Sequence, residues 1–551
     1  MPALRPLLVT IAAILSLPHF ATAQDAKGPP LAEALEKLDP YVTSGEQRRE
    51  LRQMLGKHLR GRIEEANRKS TQEWKRITNK VEWESFLERH RLDRMSQETQ
   101  SREEFDRARH LKQEADRREL LDSTTVTGTI EGDGFHIHNL LYPSRTGLWI
   151  SANLYLPAEP RDSMPGILLS HSHHNPKEQG ELQDMGMTWA RAGCAVLVPD
   201  HLGHGERREH PFKSAADYHG QFAVSRQDYN FRYDLGMQLH LAGESLTEQF
   251  VGDLSRGVSV LLNQKGVDSN RILLLGAVAG GGDPAGYAAA QDKRISCVVP
   301  FNFGGPQPET RYPLPDDAET WFNYAGGGSW ESTRNVTGSA SSGALPWVVV
   351  GSVAPRKLIH AHEFSWDRQR DPVWKRYEKI WGFYDAAESL AFAHGGGSIR
   401  IDNAEATHCN NIGAAHRKLI HEAFRKWYGI DVTPEEEYSQ RREASELKCF
   451  TDEWRTKQEA IEAVEPVARA FRRPLHEVLA DEVRSKTVAL RSLKDTRKDL
   501  GDFGRLYFLE RGFWLRLIGR EAPSISATTV ARQDLSGVAL RRCLIQSAPD
   551  I

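Results

Sequence analysis

Cysteine is scarce in this chain, and so is any imbalance of charge. Five cysteines are spread over 551 residues, with no Cys-x-x-Cys and no His-x-x-x-His pair among them and the histidines. So sparse and odd a set defines no disulfide framework and no structural zinc site. Cys194 and Cys297 lie in apolar runs and read as core. Basic residues number 72 against 75 acidic ones, a formal net charge of −3. That removes the electrostatic case for a nucleic-acid partner or for an anionic membrane surface. Beyond the N-terminus no apolar run approaches the roughly 20 residues that span a bilayer. What is there is an ordinary balance, 39% hydrophobic and 27% charged, on a length that suits one large domain with flanking segments.

The first residues have a separate pattern. Arg5 precedes the apolar run Leu7 to Leu17, followed by Pro18 and the small-residue site Ala21-Thr22-Ala23. A charged start, a short apolar stretch and an A-x-A site describe a secretory signal peptide, residues 1–23. The expected destination is secreted or periplasmic, with no membrane attachment after cleavage. Residues 24–120 are charged and helix-favouring, with Leu51, Met54, Leu55 and Leu59 at helical spacing. They are expected to form a helical leader.

From about 121 to 430 the period changes. Phe135 to Tyr142 and Trp149 to Leu156 are expected to pair antiparallel. Short apolar runs follow at Gly166–Leu169, Ala195–Val198, Ile272–Leu275, Cys297–Val299, Trp347–Val350 and Lys357–Ala361. Helical stretches separate several of them, such as Leu182 to Ala192 and Glu248 to Gln264. This alternation predicts an α/β fold with a mostly parallel sheet and helices on both faces. A helix from His416 to Tyr428 is expected to close it. Residues 431–551 read as a helical extension. Its last part, from Asp534, has a pattern similar to Phe135 through Leu148. It reads equally as the start of a second module of the same kind or as a strand added to the sheet edge.

Four loops after these strands carry the candidate chemistry. Ser170-His171-Ser172-His173-His174 follows the first parallel strand; a tight turn there can aim backbone N–H groups at a developing negative charge. Its three histidines also raise a metal site, but no carboxylate lies nearby in sequence, so none is assigned. Asp200-His201-Leu202-Gly203-His204-Gly205-Glu206-Arg207 follows the next strand. The turn Gly276-Ala277-Val278-Ala279-Gly280-Gly281-Gly282 follows the third, in the strand–turn–helix context of a nucleophile elbow, and contains no serine. Strict Gly-x-Ser-x-Gly spacing puts Val278 at the nucleophile position. The need for small residues on either side of it favours Ala279. The loop after Lys357–Ala361 holds three carboxylates, Glu363, Asp367 and Asp371, with Asp367 preferred. His408 stands in a polar loop before the last helix, where a general base is expected.

Taken together, residues 125 to 430 resemble the α/β-hydrolases of the acetyl xylan esterase-like and dienelactone hydrolase-like kind. The Asp200–Arg207 segment and the ensemble of strand ends carry the resemblance. It implies a carboxylic ester hydrolase acting on a small-molecule or polysaccharide ester, without cofactor. It places the nucleophile position at Ala279, the acid at Asp367, the base at His408, and the oxyanion donors at His173 and Gly280. The missing hydroxyl opens the alternative of a catalytically silent module used for binding or scaffolding.

Overall fold

In the computed structural model the described residues are 45–90, 123–145, 148–173, 176–208, 228, 232–233, 235–239, 245–305, 336, 339–364, 366–397, 412–432, 437–454, 456, 526–535 and 538–546. The chain divides into two compact units, one of Met1–Arg60 with Arg505–Ile551 and the other of Gly61–Gly504.

The larger unit is built on a nine-stranded sheet in the order β1-β2-β3-β5-β4-β6-β7-β8-β9. The strands are β1 (Thr125–Glu131), β2 (Phe135–Arg145), β3 (Leu148–Pro157), β4 (Met164–Ser170), β5 (Ala195–Pro199), β6 (Val267–Gly276), β7 (Cys297–Pro300), β8 (Lys357–Phe364) and β9 (Leu390–Gly397). β1, β2 and β3 are antiparallel to their neighbours, and from β5 onward every pairing is parallel. β4 is followed by β5 on one side and by β6 on the other, so the strand order reverses between β4 and β6. Such a reversal leaves a crevice at the carboxyl ends of the strands.

The period of two along each strand sorts its side chains into two cores. Leu168, Leu197, Leu274, Val298 and Leu358 join one, with the helices α4 (Leu246–Leu262), α5 (Val278–Gln291), α6 (Pro346–Gly351) and α7 (Pro372–Gly382). Ile167, Leu169, Val196, Leu273, Val299 and Ile359 join the other, with α3 (Gly180–Arg191) and α8 (Ala414–Tyr428). Each fully buried aliphatic contributes roughly 1.5–3 kcal/mol. The helices expected over 182–192, 248–264 and 416–428 are present. Two helices of the leader are described, α1 (Gly45–Trp74) and α2 (Lys80–His90). In the larger unit Trp74, Trp83 and Phe86 form an aromatic cluster with Trp347.

Two expectations are corrected. Trp347–Val350 is a helix, not a strand: Pro346 starts it, Leu345 precedes it in extended conformation, and all four residues are buried. A run of valines buried on every side carries no period to tell strand from helix. Nor is the segment after α8 helical over 437–450, although Asp452–Trp454 are. Residues 437–450 form an irregular strap. Asn139 Nδ2 donates to the carbonyls of Glu446 and Lys448 at 2.8 and 3.3 Å, and Asn153 Nδ2 to that of Leu447 at 3.0 Å. Lys177 Nζ donates to the Leu447 carbonyl at 2.7 Å and pairs with Glu206 at 3.1 Å. The Glu206 carboxylate accepts the amides of Cys449 and Phe450 at 2.8 and 2.9 Å. Farther on, β10 (Ser526–Leu535) and β11 (Val538–Gln546) pair antiparallel as a two-stranded sheet.

Cys194, Cys297 and Cys449 are free and buried; the first two lie in the core as expected. No described helix is long and apolar enough to cross a membrane.

Glu206 holds both a buried ammonium and two strap amides. Removing one partner of such a pair costs about 3–5 kcal/mol. Glu206→Ala is expected to lower the urea midpoint of the larger unit accordingly, read by tryptophan fluorescence; an unchanged midpoint would mean that the strap contributes nothing to stability.

Candidate active site

Three loops meet at the switch point between β4 and β6, and glycine allows it. A methyl group built on Gly281 would stand 2.5 Å from the carbonyl oxygens of Ser170 and His171, and one on Gly282 would stand 2.0 Å from that of Phe301. Helix α5 therefore rests on the ends of β4 and β7 backbone to backbone. Val278 and Ala279 open the first turn of α5 after Ala277, which is extended at φ −70° and ψ 114°. The left-handed backbone falls one residue later, on Gly280 at φ +80°.

Gly280 and His173, the two expected oxyanion donors, are brought together. A methyl on Gly280 would lie 2.7 Å from His173 Cβ and 3.1 Å from the His173 nitrogen. It would also lie 3.1 Å from Nη1 of Arg232, a fully buried side chain that stacks on the Phe250 ring at 4.9 Å.

Buried histidines fasten this junction in a chain of defined tautomers. The His201 amide donates to His171 Nε2 at 2.7 Å, so the His171 proton is on Nδ1, which donates to the Ser172 carbonyl at 2.7 Å. The Ser170 hydroxyl donates to the Gly281 carbonyl at 3.1 Å, so its oxygen accepts from His201 Nε2 at 2.9 Å. His204 Nε2 donates to the His173 carbonyl at 2.7 Å. The rings of His171 and His201 stack at 3.8 Å. Burial pushes His171 down to about 3, against the pull of the Ser172 carbonyl. Burial likewise holds His201 and His204 well below the usual histidine range, helped by neighbouring histidines and by Arg232. All three are neutral struts, and none titrates where a general base must. The loop after β5 adds a structural carboxylate: Asp200 accepts from Ser151 Oγ at 2.8 Å and from the amides of Lys177 and Glu206 at 3.0 and 3.2 Å.

The three candidate acids have different surroundings. Asp371 caps α7: Oδ1 accepts the Val373 amide at 2.9 Å and Oδ2 accepts Trp366 Nε1 at 2.8 Å. Burial raises it to about 6 despite these bonds. Asp367 sits in the preceding turn, half-buried, with the Arg370 amide 3.3 Å from Oδ1 and the Arg370 guanidinium 3.8 Å from Oδ2. Glu363 lies on β8, and its side chain is outside the described residues, as is His408. The chain resumes at Ile412, whose amide donates to Glu181 Oε1 at 2.8 Å while its carbonyl accepts from Arg417 at 2.8 Å. Arg417 and His421 both bind Glu437. His416, the first described histidine after the loop, is buried and held near 3 by that burial; Nε2 donates to the His362 carbonyl at 3.1 Å. Sequence reading missed Arg232, which lies in a stretch without a motif, and Glu181, which has no signal apart from its position at the start of a helix. Among the described residues no group of three or more His, Cys, Asp or Glu is placed to hold a metal ion.

Burial raises the Glu181 carboxyl from 4.5 to about 8. A carboxyl raised on folding contributes stability that is complete below its unfolded value and is lost as pH rises through its folded value. Stability should therefore fall between about pH 4.5 and pH 8 on account of this group. Glu181→Gln keeps the acceptor for Ile412 and removes the titration. Urea midpoints at pH 5 and pH 8.5 are expected to move in favour of the variant at the higher pH. A difference that does not change with pH would show that Glu181 is ionised in the folded protein.

No family model matches the sequence, and no curated protein matches it. Solved structures that resemble the chain include methylesterase BT1017, at 15% identity over 72% of this chain and 77% of that one, with a TM-score of 0.40. A glucuronoyl esterase from Solibacter usitatus is 15% identical over 56% of this chain and 92% of its own, with a TM-score of 0.35. An acetyl xylan esterase from Paenibacillus sp. R4 is 16% identical over 55% and 91%, with a TM-score of 0.31. These likenesses are remote, and the chain's own strand order is the firmer ground. With β1 as an added edge strand, β2 to β9 run in the order and direction of the α/β-hydrolase sheet, with the elbow turn after β6, so the chain has the α/β-hydrolase fold.

Proposed function

We propose that this chain is a carboxylic ester hydrolase-like module that recognises an ester ligand, small or on an acylated polysaccharide, without forming a covalent intermediate. The observation that carries this is the elbow. Val278, Ala279, Gly280, Gly281 and Gly282 offer no hydroxyl. At Gly280, where the backbone is left-handed, a side chain would run into His173. Without a nucleophile, triad-type enzymes retain only roughly 10³–10⁴-fold catalysis over water. The closeness of Gly280 to His173 supports an oxyanion role for this pair. His408 and Asp367 are the residues we assign to the base and acid positions, with Glu363 and Asp371 as the other acids. Asp371 is the less suited of the two described, being engaged as a helix cap. The N-terminal signal pattern supports export to a secreted or periplasmic setting, where such polysaccharides are met.

An aryl acetate assay beside a binding assay on acetylated xylan tests the reading. Wild-type turnover is expected to equal that of His408→Ala, while binding saturates. Ala279→Ser is expected to raise turnover above the wild type. Gly280→Ser is expected to lower the unfolding midpoint by about 1–3 kcal/mol through overpacking without gaining activity. Clear wild-type turnover abolished by His408→Ala would sink the proposal in favour of hydrolysis by an activated water.

A further inference from the structure

Several histidines of the larger unit have a clear structural task. His171, His201, His204, His416 and His421 each commit a ring nitrogen to a protein atom. His136 and His138 do not. They stand two residues apart near the start of β2, and both are half-buried. Among the described residues neither ring makes a hydrogen bond. Instead the two rings lie against each other, with centres 4.8 Å apart and planes inclined at 44°.

Residues two apart on a strand share a face, and the register fixes what flanks them there. β1 sets Thr129 opposite His138 and Glu131 opposite His136; β3 sets Leu154 opposite His138 and Leu156 opposite His136. Directly opposed residues have Cβ atoms about 4.5–5.5 Å apart. The pair therefore has two leucines on one side and an exposed carboxylate, Glu131, on the other. On β3, Leu154 faces Leu197 and Tyr155 faces Val196, so this region is level with the start of β5. The elbow turn follows the carboxyl end of β6. The histidine pair thus lies toward the opposite end of the sheet, and its role is independent of the function proposed for the elbow.

The ring separation suits chelation. With imidazole bonds of about 2.0–2.1 Å, a metal on one nitrogen of each ring stands about 3.2 Å from each ring centre. Centres 4.8 Å apart then subtend about 97° at the metal, between the roughly 90° of tetragonal geometry and the roughly 109° of a tetrahedron. Neither ring has a nitrogen engaged elsewhere, so either nitrogen can serve.

We infer that His136 and His138 form a bidentate site for a borderline divalent transition metal, of the class of Zn²⁺, Ni²⁺ and Cu²⁺. Imidazole donors disfavour Mg²⁺ and Ca²⁺, which take oxygen ligands. Water fills the remaining positions, and Glu131 can turn toward the pair and add an anionic oxygen. With two side chains in place the site is open, unlike the closed four-ligand cage of a structural zinc.

The test is calorimetric titration of the full chain with Zn²⁺ near neutral pH, after chelator treatment and dialysis. His136→Gln and His138→Gln are each expected to weaken one equivalent of Zn²⁺ binding at least ~10-fold, since loss of even an outer-shell partner costs about 10–100-fold. Glutamine keeps a polar side chain at these half-buried positions, and equal urea midpoints without metal check that the variants fold. With Zn²⁺ present the wild-type midpoint is expected to rise above those of both variants, because a metal that binds the folded state alone stabilises it. Equal affinity and stoichiometry in all three proteins would place the metal on others of the 21 histidines and overturn the inference. So would a wild type that takes up no Zn²⁺.

Discussion

Helix α5 rests on the ends of β4 and β7 with no side chain between them. The contacts of Gly281 with the Ser170 and His171 carbonyls, and of Gly282 with that of Phe301, leave no room for even a methyl group. This closeness puts the loop after β4 within reach of Gly280 and lets the Ser170 hydroxyl meet the Gly281 carbonyl. The histidine chain can then brace the loop after β5 against both. The turn before α5 is thus a structural joint, holding helix on strand by backbone contact.

The neutrality of the histidines belongs to the same design. An imidazole near its ordinary titration range would fluctuate between donor patterns, and a charged one beside Arg232 would be repelled. Burial removes that freedom, and each ring keeps one proton in one place. A histidine so fixed serves well as a strut and poorly as a base. The three histidines are therefore held neutral beside the Arg232 guanidinium.

The parallel sheet was legible in the sequence because its strands are short, apolar and bounded by turn residues, and because α3, α4 and α8 show clear helical periods. The elbow was legible from its glycines, whose requirement is steric and local. Trp347–Val350 was not, since a fully buried valine run has no exposed face to reveal its period. The strap was not legible for a different reason. Its charged residues, such as Arg441 and Glu437, look like those of a solvated helix, and only the distant partners Asp184 and Arg417 explain them. Arg232 and Glu181 were missed for the same reason, as their meaning comes entirely from what the fold places beside them.

The strap also has a consequence for synthesis on the ribosome. Asn139 and Asn153 point their amides at carbonyls of residues 446–448, about 300 positions later in the chain. Until that segment emerges, the opening hairpin has polar groups that the rest of the sheet cannot satisfy. A sheet started by β2 and β3 can be finished only after α8 has passed. Translation therefore holds the nascent module with these side-chain amides unanswered by the strap for much of its length, the stage at which aggregation threatens and chaperones act.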